Sequence, residues 1–190
     1  MLGAVSDPSA HGTLIMAVSW FLTVVLVAAA VIDGWKLKVP NWLTVPLVLS
    51  AWGCSGAMFG WSGWWASLLG TAVGLGLLLP AYAIGGMGAG DVKLLAGVGA
   101  WLGMTDTLWA FAVSAVVGAV LAVGMVLWRG AWKHHQQQFL GIVQEILTVR
   151  NPEELAARAA ERKPRMLLLP YGIPIALGTI AYFAYTGMLL

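Results

Sequence analysis

Asp91-Val-Lys-Leu-Leu-Ala-Gly-Val-Gly-Ala-Trp-Leu102 decides how this chain folds. After one acid, its run 92–102 is apolar except for Lys93, yet it falls well short of the about 20 residues that cross a bilayer as a helix. A run of that length fits a short span, a re-entrant segment or a partly inserted helix. Longer apolar stretches surround it at 13–32, 42–59, 64–84, 108–128 and 166–190. The cations support a count of six. Lys36 and Lys38 follow the first stretch, Lys93 follows Asp91, and every other Lys and Arg lies within 129–165. With six alternating spans all of these fall on one side, which the positive-inside rule assigns to the cytoplasm. With five, the last basic loop would land opposite the others. The loops at 60–63 and 104–106 carry no cation. The expected fold is an all-α membrane protein, a polytopic bundle of six transmembrane helices. It forms a single domain over 1–190 with one polar cytoplasmic loop at 129–165, and both termini face away from the cytoplasm.

Composition agrees with a bilayer environment. The chain is 60% hydrophobic and 9% charged, where soluble domains carry about 25% charged residues. The apolar runs are continuous rather than alternating, which argues against a β-barrel. A net charge of +2 gives no reason to expect a nucleic-acid partner. Residues 1–12 contain no Lys or Arg, so the basic flank of a signal peptide is missing. Cys54 is the single cysteine, which excludes an intrachain disulfide and a multi-cysteine zinc site, and its expected place is in the core. His134 and His135 sit in the basic loop without ligand neighbours and read as a solvated pair. No metal and no organic cofactor is expected. Gly70, Gly74, Gly76, Gly97, Gly99 and Gly103 read as close helix packing. Trp42, Trp61, Trp64 and Trp128 suit helix ends at the interface. Within the polar loop, Phe139, Ile142, Val143, Ile146 and Leu147 recur at helical spacing, as in a surface-lying amphipathic helix, and Asn151-Pro152 has the form of a helix start.

Two acids stand at the edges of these spans. Asp33 ends the apolar run from Ala28, and Asp91 follows the glycine-rich 85–90. Charge near hydrocarbon is costly and rare unless it is paired or at work. Two carboxyls brought together can hydrolyse an amide by general acid–base action. Other uses exist: Asp91 as N-cap of a helix starting at Val92, Asp33 in an ion pair with Lys36 or Lys38, Lys93 as a snorkelling anchor or local electrostatic partner. The glycines do not make a phosphate loop, because no Gly-Lys-Ser/Thr ending follows them. Their expected use is to let the backbone bend and bring Asp91 in uncrowded. A proton or cation relay is the competing class of function, as is an idle assembly partner. A transporter would place its acids near mid-membrane and show repeat symmetry, and neither feature is visible here.

These residues also carry a resemblance. Gly88-Ala-Gly-Asp91, followed by Val-Lys-Leu-Leu-Ala, resembles the Gly-x-Gly-Asp motif of type IV prepilin leader peptidases. Asp33 with Lys38-Val-Pro-Asn41 is similar to their first aspartate and its Lys/Arg-Ile-Pro-Asn sequel. Pro170-Tyr-Gly172 is similar to their Pro-Phe/Tyr-Gly segment in the last span. The resemblance covers nearly the whole chain. It implies an aspartyl intramembrane protease that cuts the basic leader from prepilins or pseudopilins, in the service of a pilus or secretion machine. The site would lie at the cytoplasmic face of a bacterial inner membrane. It implies Asp33 and Asp91 as catalytic, with Gly88, Gly90, Lys93, Lys38, Pro40, Asn41, Pro170 and Gly172 shaping the site or binding substrate. Val39, often Ile in the family, and Ile173-Pro174 depart mildly. The larger members add an N-terminal domain with paired CxxC motifs and methylate the new terminus. Here only a short tail precedes the first span and only Cys54 is present, so the chain is similar to the shorter, peptidase-only members, and methyl transfer is not expected.

Overall fold

The computed structural model describes residues 8–83, 86–128 and 170–190. The loop 129–165, with His134, His135, the amphipathic pattern after Phe139 and the Asn151 helix start, lies outside the described residues. Within them all regular structure is helical: α1 (Pro8–Lys36), α2 (Asn41–Ala83), α3 (Ala89–Leu102), α4 (Met104–Trp128) and α5 (Gly172–Tyr185). Three segments are long and apolar enough to cross a membrane: Gly12–Lys36, Asn41–Ala83 and Met104–Met125. Large apolar side chains face outward along them, among them Val24, Val31, Leu49, Val116 and Val120. A surface of that kind belongs in lipid. This is a membrane protein.

The expected stretches 42–59 and 64–84 are joined without a loop. The 43-residue α2 breaks at Gly60, where φ is 62° and ψ −147°, a conformation open to glycine and strained for other residues. Its arms fold back on each other. The Trp52 indole N–H donates to Thr71 Oγ1 at 3.0 Å, and Gly63 packs on the backbone of Ser55. At the tip, Trp61 stacks on Trp64 at 5.3 Å, and Trp61 remains largely exposed.

α3 lies in the fork of this hairpin. Against the second arm, Gly99 meets Gly70 and the Leu95–Ala96 backbone meets Gly74. Ser67 Oγ donates to the Ala100 carbonyl at 2.6 Å. Against the first arm, Gly97 receives Leu47, and the Trp101 indole donates to the Leu47 carbonyl at 3.1 Å. Gly76 has open space around it and is not part of this packing. Ten of the fourteen residues of α3 are buried. A helix walled by protein does not have to match the thickness of the hydrocarbon, which is why so short a run is stable here. It starts at Ala89, three residues before the expected Val92.

α4 and α5 cross closely, with Gly178 on Ser114 and Gly118 on Pro174. Near the other end of the pair, the Tyr182 hydroxyl donates to Asp106 at 2.8 Å. Against α1, the Ile173 side chain reaches Gly34. Cys54, on the first arm of α2, is exposed rather than in the core.

Candidate active site

Asp33 occupies the last turn of α1, where its carbonyl accepts from Leu37 N at 2.8 Å. Its side chain is 2% exposed and turns inward, and Oδ2 accepts from Gly172 N at 2.8 Å. Gly172 is the first residue of α5, and the first amides of a helix have no acceptor within it. One of those amides is here committed to a carboxylate, the ligand that a helix start favours. The approach depends on the missing side chain. A Cβ on Gly172 would stand 2.9 Å from Asp33 Oδ2 and 3.0 Å from its Cβ.

Asp91 sits in the first turn of α3, and the N-cap is Gly88. Its Oδ2 accepts from Gly88 N at 3.1 Å, while its own N–H donates to the Gly88 carbonyl at 3.2 Å. Asp91 therefore caps the helix from inside the first turn, not from the N-cap position, and it is 6% exposed. Both acids thus rest at helix starts, one on its own helix and one on another.

Of the two expected uses of the glycines beside Asp91, room is seen and a glycine-only backbone conformation is not. Gly88 is extended, with φ −85°, which any residue adopts. A Cβ there would come 3.2 Å from Asp91 Oδ2. Gly90 is already helical, and its need is for space: a Cβ would lie 2.5 Å from the Val39 carbonyl oxygen and 3.1 Å from Val39 N. The segment after Asp33 thus lies directly on the segment before Asp91. A second tie joins them, from Lys93 Nζ to Asn41 Oδ1 at 3.0 Å. The Pro40 carbonyl opens α2 by accepting from Leu43 N at 3.1 Å. Between α1 and Val39, Leu37 takes a left-handed φ of 50°, unusual for a branched residue. Lys38 points outward and is exposed.

Pro170 ends its part in a turn, its carbonyl accepting from Ile173 N at 3.1 Å. Next to it, Tyr171 is half-buried and close enough to Asp91 to feel its charge. Gly172, the next residue, is the one that holds Asp33 directly. Tyr171 stood inside the Pro-Tyr-Gly segment but was not singled out. Val39 was likewise visible only as a mild departure from Ile.

The arrangement gathers Asp33, Asp91, Gly88, Gly90, Lys93, Pro40, Asn41, Pro170 and Gly172 at one end of the helices, and it leaves Lys38 at the rim. Two covered carboxyls, each accepting from one backbone amide, thus lie at the same end of the helices.

Comparison with known proteins follows the same residues. The chain resembles the "Prepilin leader peptidase/N-methyltransferase" of Aeromonas hydrophila, 38% identical over 128 residues, 62% of this chain and 41% of that protein. The protein of that name from Neisseria gonorrhoeae is 34% identical over 120 residues, 57% of this chain and 40% of the relative. The one from Bacillus subtilis (strain 168) is 32% identical over 124 residues, 64% and 37%. The chain thus spans about two fifths of the length of the curated relatives it matches. No solved structure matches it. A sequence model described as "Type IV leader peptidase family" matches residues 20–123, a stretch that holds Asp33, Asp91 and the close contact between Val39 and Gly90, and the chain belongs to that family.

Proposed function

We propose that this protein is a membrane-embedded aspartic endopeptidase that removes the basic leader of a prepilin or pseudopilin, with Asp33 and Asp91 as the reacting pair. The observation that carries this reading is the burial of both carboxyls at the same end of the bundle, Asp33 on the Gly172 amide and Asp91 on the Gly88 amide. Like charges crowded together disfavour double ionisation, so one proton is shared by the pair. The ionised member takes a proton from a water molecule, whose oxygen attacks the peptide carbonyl. The protonated member donates to the carbonyl oxygen and stabilises the tetrahedral intermediate. When that intermediate collapses, the C–N bond breaks and a proton passes to the leaving amine. No metal or organic cofactor takes part.

The described lysines Lys36, Lys38 and Lys93 all stand at the aspartate end, which favours a cytoplasmic position for it. In this reading six helical segments alternate across a bacterial inner membrane, α2 supplying two of them. A substrate with a basic leader and an apolar helix fits such a site: the leader stays in water while the helix enters the lipid. A relay has less support, because both acids sit in terminal turns of their helices. Purified protein in detergent with a prepilin substrate tests the proposal. Leader cleavage should occur and disappear in Asp33→Asn and Asp91→Asn. Full activity in either well-folded variant would refute the two-carboxyl mechanism.

A further inference from the structure

The Asp33 carboxyl rests on Gly172 N of α5, and the Asp91 carboxyl on Gly88 N at the start of α3. Each of these bonds fixes a carboxyl to a different support. Their alignment therefore depends on how the end of α1 is held against the first turn of α3. The connector 37–40, between α1 and α2, lies at that junction. Leu37 N donates to the Asp33 carbonyl at 2.8 Å, and the left-handed φ of 50° at Leu37 ends the helix. Val39, 2% exposed, sets its backbone against Gly90, where a Cβ would stand 2.5 Å from the Val39 carbonyl oxygen. Asn41, the first residue of α2, then accepts from Lys93 Nζ at 3.0 Å.

Resting on the peptidase reading above, we infer that Asn41 and Lys93 are positioning residues: their bond, together with the contact of Val39 on Gly90, sets the rotation of the first turn of α3 against the end of α1 and so the register of the two carboxyls. Lys93 is the one exposed residue from Asp91 to Ala100; its neighbours on the helix are all buried. It follows Asp91 by two residues, about 200° around a helix of 3.6 residues per turn. Its ammonium therefore does not share the face of the carboxyl, and it acts through Asn41. The hairpin contacts already described, at Gly99, Ala100 and Trp101, hold the far half of α3. The first turn, which carries Asp91, is met by the connector. A single contact such as Val39 on Gly90 is a pivot about which the turn can still rotate. A second contact away from that point removes the rotation, and the bond from Lys93 to Asn41 supplies it.

Steady-state kinetics on a prepilin and thermal unfolding, both with full-length protein in detergent, test this. Lys93→Met keeps most of the stem and removes the donor, and Asn41→Leu removes the acceptor. Each should lower kcat about tenfold, the scale of a displacement well below 1 Å, with KM unchanged. The double variant should be no slower than either single one, because the same bond is lost in all three. Lys93→Arg, which keeps a donor on a long stem, should recover most of the loss. Trp101→Phe breaks the bond to the Leu47 carbonyl at the far end of α3. It should lower the unfolding temperature and leave kcat unchanged. A raised KM at constant kcat in Lys93→Met would make Lys93 a substrate contact and overturn the inference. Parent kcat in that variant, losses that multiply in the double variant, or an equal fall of kcat in Trp101→Phe would overturn it too. Should native protein cut no prepilin, the peptidase reading fails. The unfolding temperatures then decide the clasp by themselves: additive losses from Lys93→Met and Asn41→Leu would show that the two side chains do not act together.

Discussion

The bond from Gly172 N to Asp33 Oδ2 calls for a glycine, because a Cβ there would press on the Asp33 side chain. Gly172→Ala is expected to insert and fold but to lose about a hundredfold in kcat, the scale on which a misplacement of 1 Å acts. A coupled peptide assay measures it, and an unchanged kcat would mean that the contact is structural only. The acids should behave as a unit. The double variant Asp33→Asn, Asp91→Asn should be scarcely slower than either single one, because losing one member already disables the pair. Asp106, engaged by Tyr182 on the far end of α4 and α5, is the control: Asp106→Asn keeps an acceptor for that hydroxyl and should keep activity. Both aspartates were legible in the sequence, since acid at the end of an apolar run needs a reason. Their partners were not. A backbone amide at the start of a helix far along the chain leaves no compositional trace, and Gly172 could be named only through a resemblance.

At the scale of elements, the two glycines before Asp91 separate by cause. Gly90 abuts the Val39 backbone, which cannot retreat as a side chain can, whereas a Cβ on Gly88 would meet a side-chain oxygen of Asp91 at 3.2 Å. Gly90→Val should abolish cleavage, with a stability loss of about 1–3 kcal/mol typical of overpacking. Gly88→Ala should retain measurable activity. Thermal unfolding in detergent, read beside the peptide assay, distinguishes the two, and equal damage from both would show that local backbone freedom matters more than space. The glycine cluster was conspicuous in the sequence, and of the two reasons expected for it, space applies at Gly88 and Gly90 while backbone bending does not. Spacing reveals that glycines are present, not which of them meets another segment. The same limit applied to α3. Its run looked too short because length was compared with a bilayer, whereas its Gly97 and Gly99 face Leu47 and Gly70 inside the protein. The reversal at Gly60 was expected as a loop of several residues and is instead a single glycine.

For the whole molecule, the charge pattern and the helix ends point the same way. Lys36, Lys38 and Lys93 cluster at the aspartate end, while Trp61 and Ser62 mark the opposite tip of the α2 hairpin. Cations in short loops orient a membrane protein because they resist translocation. That regularity is the whole basis of the side assignment proposed here, and the number of crossings rests on one short run. The 190 residues hold one cysteine, Cys54, and so cannot form paired CxxC motifs among themselves. Processing by this chain with S-adenosylmethionine present is therefore expected to yield an unmethylated terminus by mass spectrometry, and a methylated product made by this chain alone would contradict it. Orientation is checked in a Cys54→Ser background, with single cysteines at Lys38 and at Ser62. Both positions are exposed. In spheroplasts an impermeant maleimide should label the Ser62→Cys protein, and the Lys38→Cys protein should react only once the membrane is opened. Labelling of both from outside would place Lys38 and Ser62 on one face, and the alternation that brings Asp33 and Asp91 to a common cytoplasmic edge would have to be abandoned.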